Sequence, residues 1–366
     1  MRIGINALYL IPGGVGGTET YLRALLGALA EIDAANHYFV FTNRETGADL
    51  VPKHANFVHV PQPVRAVNRP WRLLWEQTVL PIQAARLRLD VLFNPGFTAP
   101  ILCGCPQVTV FHDLQHKRYP ENFRWFDLPA WRFFLYWSAH ISRVIIAVSS
   151  ATAADLELYY RLPADRVRVV PHGVASDFFA LAARRRPERF LLAVSTLHPH
   201  KNLDGLLRAF AAFRERHPDF RLVVTGLHGF FTEELKALRA ELHLGDSVDF
   251  PGWIPRQNLL DLYARAWAFF YPSKFEGFGM PVLEALAAAV PTACSSIEPL
   301  AGIAADAALQ FDPNDPRAIA DAMERLVSDD ALRDRLIAAG PRRAAQFTWR
   351  DAASRTLEAL TCCVQS

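Results

Sequence analysis

Long apolar runs are missing from this chain. Nowhere in its 366 residues do about 18 uncharged apolar residues follow one another, so no membrane-spanning helix is expected. The longest stretch, Ala285 to Pro291 with its flanks, is too short and takes in Glu284. Cysteine is scarce: Cys103, Cys105, Cys294, Cys362 and Cys363 are an odd set without zinc spacing, which gives no disulfide framework and fits a reducing cytoplasm. Cys103 and Cys105 form a short Cys-Gly-Cys loop, two thiols with no second ligand pair nearby, so no metal is expected there. An excess of one charge is absent too; the formal net charge of +2 argues against a dedicated nucleic-acid binder. Neither a low-complexity tract nor an internal repeat interrupts the chain. Met1 to Asn6 has no h-region and reads directly as a strand, so no signal peptide is expected.

What is present is alternation. Half of the residues are hydrophobic, enough for two cores at this length. Strand patterns at Arg2–Leu10, His37–Thr42, Asn56–Val60, Asp90–Asn94, Gln107–Phe111, Val144–Ser149 and Val167–Pro171 alternate with helical ones. Tyr21, Leu22, Leu25, Leu26 and Leu29, for example, repeat at helical spacing after Thr18. A charged segment, Ala183 to Glu188, holds nothing that looks buriable and reads as a linker. Phe190–Val194 restarts the pattern, and Arg221–Thr225, Ser247–Phe250 and Ala268–Tyr271 continue it. The expectation is an α/β chain of two doubly wound, Rossmann-like domains facing a cleft, divided near residue 180. Residues 1–180 form the first domain, 188–345 the second, and 346–366 a final segment.

Four places carry chemistry. The loop Pro12 to Gly17 has glycines at 13, 14, 16 and 17 between a strand and a helix, which suits an anion or a tight structural turn equally. It does not spell the dinucleotide fingerprint. The segment Pro272 to Glu284 leaves a strand, keeps Gly277 and Gly279 free of side chains and enters a helix at Pro281. Backbone groups at that helix amino terminus suit a diphosphate. Glu276 and Glu284, eight residues apart across the turn, suit hydroxyl groups of a ribose and a hexose; otherwise they are a loop acid and a helix-terminal charge. Lys201, at the next strand-to-helix junction, suits phosphate as a point charge, unless it is an ordinary surface lysine. His112 ends the strand Gln107–Phe111, where it can donate to a sugar hydroxyl, orient a backbone carbonyl or simply serve the core.

Together these residues resemble glycosyltransferase family 4, retaining enzymes of the GT-B fold, and in particular bacterial mannosyltransferases. The resemblance covers nearly the whole chain and is most specific in Tyr271 to Ala285, which carries an E-x7-E pattern. Val169 to Val174, Pro199 to Leu203, Asp306 to Pro313 and Phe347 to Trp349 are also similar. It implies that Glu276 binds donor-sugar hydroxyls, Glu284 the ribose and Lys201 the diphosphate, with Ser195 and the segment Phe278, Gly279, Met280 and Pro281 beside them. Gly14, Gly16 and Gly17 would line the phosphate and acceptor side, and His112 would contact the sugar near the reacting carbon, so that Glu276, His112 and Lys201 are the catalytic set. One departure from the family pattern is the loss of arginines: Ser195 and Thr196 stand where many members have one, as does His200. Ser295 to Leu300 also replaces a common Pro-Glu. The last helix, about Trp349 to Leu360, is expected to cross back onto the first domain.

The activity so implied is metal-independent transfer of a hexose, mannose ranked first, from a nucleotide diphosphate sugar such as GDP-mannose. The acceptor would be a glycan or a lipid-linked acceptor in cell-surface polysaccharide synthesis, and no cofactor is expected. A sugar-nucleotide epimerase and a non-catalytic sugar-nucleotide-binding subunit are the alternatives. Residues 117–143 hold nine aromatics, and 61–143 carry ten Lys or Arg against five Asp or Glu. That interleaving suits the face of an anionic membrane, with Arg69, Arg72 and Arg88 contributing, or else the rings fill a core. The expected location is cytoplasmic, at the inner face of the membrane, with no nucleic-acid partner.

Overall fold

The computed structural model describes residues 1–365. They fall into two compact units: residues 1–173 with the segment from Trp349 onward, and Val174–Thr348. The first unit holds a seven-stranded sheet of β1 (Arg2–Ala7), β2 (His37–Thr42), β3 (Phe57–Pro61), β4 (Val91–Asn94), β5 (Gln107–Phe111), β6 (Val144–Ala147) and β7 (Val167–Val169). Their order is β3-β2-β1-β4-β5-β6-β7, with every neighbouring pair parallel. The second holds β8 (Phe190–Val194), β9 (Arg221–Thr225), β10 (Val248–Gly252), β11 (Ala268–Tyr271), β12 (Thr292–Ser295) and β13 (Leu309–Phe311). These run β10-β9-β8-β11-β12-β13, again all parallel.

Both orders reverse direction beside the first strand, between β1 and β4 and between β8 and β11. Loops at the carboxyl ends of such a switch point splay apart and leave room for a ligand. The central strands are buried throughout because helices cover both faces: all five residues of β5 and all four of β6, β11 and β12 are buried, the polar Gln107, Thr109, Thr292 and Ser295 among them. In the second unit the helices Leu203–Arg214 and Pro316–Ser328 pack together on one side. There Leu206, Phe210, Phe213, Ile319, Met323 and Leu326 meet Leu222, Val224 and Phe270 of the sheet. Each fully buried side chain of this size contributes about 1.5–3 kcal/mol.

Three features depart from the sequence reading. The strands β12 and β13 were not expected. Ala183 to Glu188 is docked rather than loose: Arg185 is half-buried and donates to the carbonyls of Tyr263 (3.3 Å) and Ala266 (2.9 Å). Burial lowers its guanidinium to about 10, and Glu188 pairs with Arg265 at 2.8 Å. The aromatics of 117–143 do not fill a core. Trp125, Phe126, Phe133, Tyr136 and Trp137 are exposed, Trp125 by 84%, and Tyr119, Phe123, Trp131 and Phe134 are half-buried.

The final helix, Trp349–Gln365, belongs to the first unit. It packs along the helix Gly17–Ile32 and reaches β4, β5 and β6. Ala352, Ala353, Thr356, Ala359, Leu360 and Cys363 form its buried stripe, and Arg143 donates to the carbonyl of Cys363 at 3.0 Å. Among the described residues no helix is long and apolar enough to cross a membrane.

Candidate functional site

The second unit brings four of the expected residues to one switch point. Ser195 directly follows β8 and Lys201 ends the short 3-10 turn Pro199–Lys201, while Glu276 lies in the loop after β11. Lys201 Nζ donates to Glu276 Oε1 at 2.6 Å, with both side chains nearly buried. Tyr271, the last residue of β11, backs the pair: its hydroxyl lies 3.5 Å from Nζ and its ring centroid 5.7 Å away. Burial first, then the Glu276 carboxylate, holds the Tyr271 hydroxyl well above its ordinary range. An isolated ammonium or carboxylate would be costly at this depth; together they offset much of that cost.

Glu284 sits one helical turn beyond the loop. Its Oε2 accepts from the fully buried Tyr263 at 3.0 Å. Burial raises its carboxyl to about 7, opposed by the Tyr263 hydrogen bond and by Arg256, while Asp177 adds to the rise. Arg256 and Asp177 pair with each other at 2.8 and 2.9 Å, so Arg256 acts on Glu284 only as a distant, partly neutralised charge. Phe178, Tyr263, Phe269 and Tyr271 form a column of rings with centroids 5.3–6.0 Å apart. That column fixes both tyrosines that hold the carboxylate and the lysine.

The helix Met280–Ala287 starts from Gly279, whose φ is +112°. A Cβ there would lie 2.3 Å from Leu300 Cδ2, so no other residue fits the turn without displacing that side chain. Phe278 is buried against Phe347, 6.2 Å between centroids. Pro281 has no N–H, so three of the four residues expected, Phe278, Gly279 and Met280, carry a backbone donor. The Ser195 hydroxyl is buried without a hydrogen-bond partner. The Ser195 carbonyl lies 2.0 Å from where a Cβ of Gly226 would stand (φ +149°), which keeps that neighbour a glycine.

Asn202, to which the sequence assigned no role, fastens the site. Fully buried with φ +54°, it donates from Nδ2 to the carbonyls of Pro272 (3.1 Å) and Pro313 (2.7 Å). The loops after β8, β11 and β13 are thereby tied together. Lys274 adds a backbone bond to the His200 carbonyl at 2.8 Å. Burial, with Lys201 and His198 alongside, pushes His200 down to about 2; it is neutral and does not replace the charge of an arginine. Tyr263, Tyr271 and Asn202 are the functional positions that sequence reasoning passed over; Tyr271 at a strand end was the readiest signal.

The first unit presents different chemistry. His112 is buried and its Nε2 donates to the Pro95 carbonyl at 2.9 Å, the carbonyl-orienting alternative. Its ring lies among Tyr21, Phe97 and His172, with centroids 4.9–5.6 Å away. Burial lowers His112 to about 4 and, with His112 beside it, His172 further. Of the glycine loop, Gly16 caps the helix Gly17–Ile32 and Gly14 closes a turn on the Ile11 carbonyl at 2.8 Å. The Gly13 amide donates to Glu19 Oε2 at 2.7 Å, so an internal carboxylate occupies that donor. Cys103 and Cys105 Sγ atoms are 3.5 Å apart. Among the described residues no group of three or more His, Cys, Asp or Glu is placed to hold a metal ion.

Comparison with known proteins places both halves. The model "Glycosyltransferase Family 4" matches residues 15–178, and "Glycosyl transferases group 1" matches residues 177–343. The chain is 30% identical over 266 residues to O-antigen chain mannosyltransferase B of Escherichia coli, covering 69% of each. It is 28% identical over 283 residues to the serotype-specific mannosyltransferase WbdA of Escherichia coli, covering 71% of this chain and only 34% of that longer one. In three dimensions it is similar to sucrose-phosphate synthase from Thermosynechococcus elongatus (TM-score 0.80, 21% identity, 98% of each chain). Anabaena HepE, solved with UDP and glucose, superposes with a TM-score of 0.75 at 18% identity over 99% and 100% of the chains. The architecture is that of the GT-B glycosyltransferases. The chain belongs to glycosyltransferase family 4.

Proposed function

We propose that the protein transfers a hexose, mannose first, from a nucleoside diphosphate sugar, GDP-mannose by preference, to a glycan or lipid-linked acceptor, retaining anomeric configuration. The Lys201–Glu276 contact at 2.6 Å carries this reading. It sets a cation for phosphate beside a carboxylate for hydroxyls, at the carboxyl ends of adjacent strands. A donor diphosphate competes for Lys201 and leaves Glu276 to accept from sugar hydroxyls. As the bond from the anomeric carbon to phosphate breaks, negative charge grows on the leaving nucleoside diphosphate. Lys201 and the Gly279 and Met280 amides stabilise it, a contribution of roughly 3 kcal/mol per donor by analogy with oxyanion sites. These groups supply the stabilisation without a metal or other cofactor, and the leaving phosphate takes the acceptor proton on the same face.

Glu284, held by Tyr263, is the ribose ligand, and His112 acts on the sugar side through the carbonyl it orients. Similarity to a protein named O-antigen chain mannosyltransferase supports cell-surface polysaccharide synthesis in the cytoplasm. The exposed rings of 125–137 support contact with an anionic membrane face, with Arg69 and Arg88 contributing; Arg72, only 5% exposed, lies behind that face rather than on it. The test is a donor panel with chelator present, followed by mass spectrometry of a lipid-linked or soluble glycan acceptor. Transfer from GDP-mannose is expected; epimerised nucleotide sugar, or binding without turnover, would overturn the reading.

A further inference from the structure

Arg72 is the most unusual cation in the first unit. It is 95% buried by the 5% exposure given above, yet its guanidinium makes no hydrogen bond to any described residue, and Nη1 is fully enclosed without one. Its nearest counter-charge is Glu76 Oε2 at 3.8 Å, beyond hydrogen-bond reach. Burial pushes Glu76 upward, toward its neutral form, against the pull of Arg72, Thr98 and Asn6, whereas a guanidinium stays charged. A buried guanidinium whose Nη1 is enclosed with no acceptor is costly, so its geometry is one that a ligand completes.

The surroundings say what kind of ligand. Arg72 lines a cavity of about 30 Å³ with Arg69, Thr98, Asp127, Trp131 and Phe134. Arg69 stacks over the Trp131 ring at 4.1 Å and stands 4.0 Å from Asp127. Both arginines occupy the first turn of the 18-residue helix Arg69–Arg86, which has no acidic residue in that turn. Cations are the wrong sign at a helix amino terminus, and an anion there relieves both arginines and the helix dipole. The cavity admits a few oxygen atoms and no sugar ring. Outside it the helix exposes Trp71 and Leu74, and Phe133 and Trp137 stand out from the helix Leu128–Ile141. A head of oxygen atoms with an apolar body fits this shape.

We propose that this cavity seats the phosphate of a lipid-linked acceptor, with Arg72 as its anchor and the exposed rings carrying the lipid chain. The assignment rests on the acceptor class proposed above. The probes are geranyl diphosphate, inorganic pyrophosphate and geraniol, titrated by calorimetry against the full chain and its Arg72→Gln and Arg69→Gln variants. Geranyl diphosphate should bind the wild type at least tenfold more tightly than either partial probe, and Arg72→Gln should weaken it at least tenfold. Arg69→Gln, at the exposed rim, should weaken it about threefold and keeps the test valid should the buried variant fail to fold. Equal affinity of wild type and both variants would overturn the site; pyrophosphate binding as tightly as geranyl diphosphate would overturn the lipid assignment. Arg72-dependent binding without sugar transfer from any donor would instead sink the proposed function and leave this site standing. Transfer to a lipid-linked acceptor with unchanged KM in Arg72→Gln would do the reverse.

Discussion

The two sheets have the same strand order around their switch points, and the residues delivered there differ in kind. At β8 and β11 they are ionisable groups held by partners: Lys201 by the Glu276 carboxylate and Glu284 by the Tyr263 hydroxyl. At β1, β4 and β5 they are neutral. Asn6 donates to Asn94, Asn94 to Gln107, and His112 and His172 are kept uncharged by burial among rings. One backbone topology therefore serves two electrostatic environments. The fold settles where a ligand can sit, and the side chains at strand ends settle which charge it carries.

Removing the paired ions tests that contrast most severely. Glu276→Ala should lower turnover by roughly 10²-fold, the range for a charged hydrogen bond. Glu276→Gln, which keeps a partner for Lys201, should melt near the wild-type temperature while remaining slow. Near-normal rates in the alanine variant would show that the second sheet's ions are structural. Asn202→Ala should cost about 2–3 kcal/mol in urea unfolding, since two buried carbonyls lose their donor and alanine tolerates positive φ poorly. An unchanged midpoint would show that the three loops hold without it. Lys201→Ala should weaken nucleoside diphosphate binding about tenfold and leave nucleoside binding intact; calorimetry finding equal losses would place Lys201 away from phosphate.

A smaller effect follows from Glu284. Its folded carboxyl sits near 7 against an ordinary 4.5, so the folded protein keeps a proton that the unfolded chain releases. Its contribution to stability is fully present below 4.5 and is lost as pH rises through 7. Glu284→Gln should flatten that loss, so urea midpoints at pH 5 and pH 8 should differ less than in the wild type. The smallest expected signal belongs to the first unit: weak co-sedimentation with anionic vesicles that fades as salt rises. Equal recovery on neutral vesicles would remove the membrane contact.

Legibility in the sequence followed the same divide between local and distant. The seven strands of the first sheet lie within apolar runs that are visible as such. The missed β12, Thr292-Ala293-Cys294-Ser295, is made of small residues buried on both sides, and β13 is only three residues long. Glu276 and Glu284 were legible because one loop and one helix turn join them. Their partners were not: Tyr263 and Lys201 lie 21 and 75 residues away, a proximity created only by the sheet. Arg72 was misread as a surface cation, although the spacing of Arg72, Glu76, Leu80 and Ala84 puts it on the buried stripe of its helix. Charged residues on that stripe were the available signal.

The return of Trp349–Gln365 to the first sheet has a consequence for synthesis on the ribosome. The amino-terminal sheet emerges first, but the apolar surface along Gly17–Ile32 and the strands β4 to β6 gains its cover only after Val174–Thr348 have been made. At ~5–20 residues per second, that intervening segment takes roughly 10–35 s to translate. During that wait the nascent sheet carries an uncovered stripe, a natural place for a chaperone to hold it. The second unit, contiguous in the chain, is under no such delay and can complete its core as it appears.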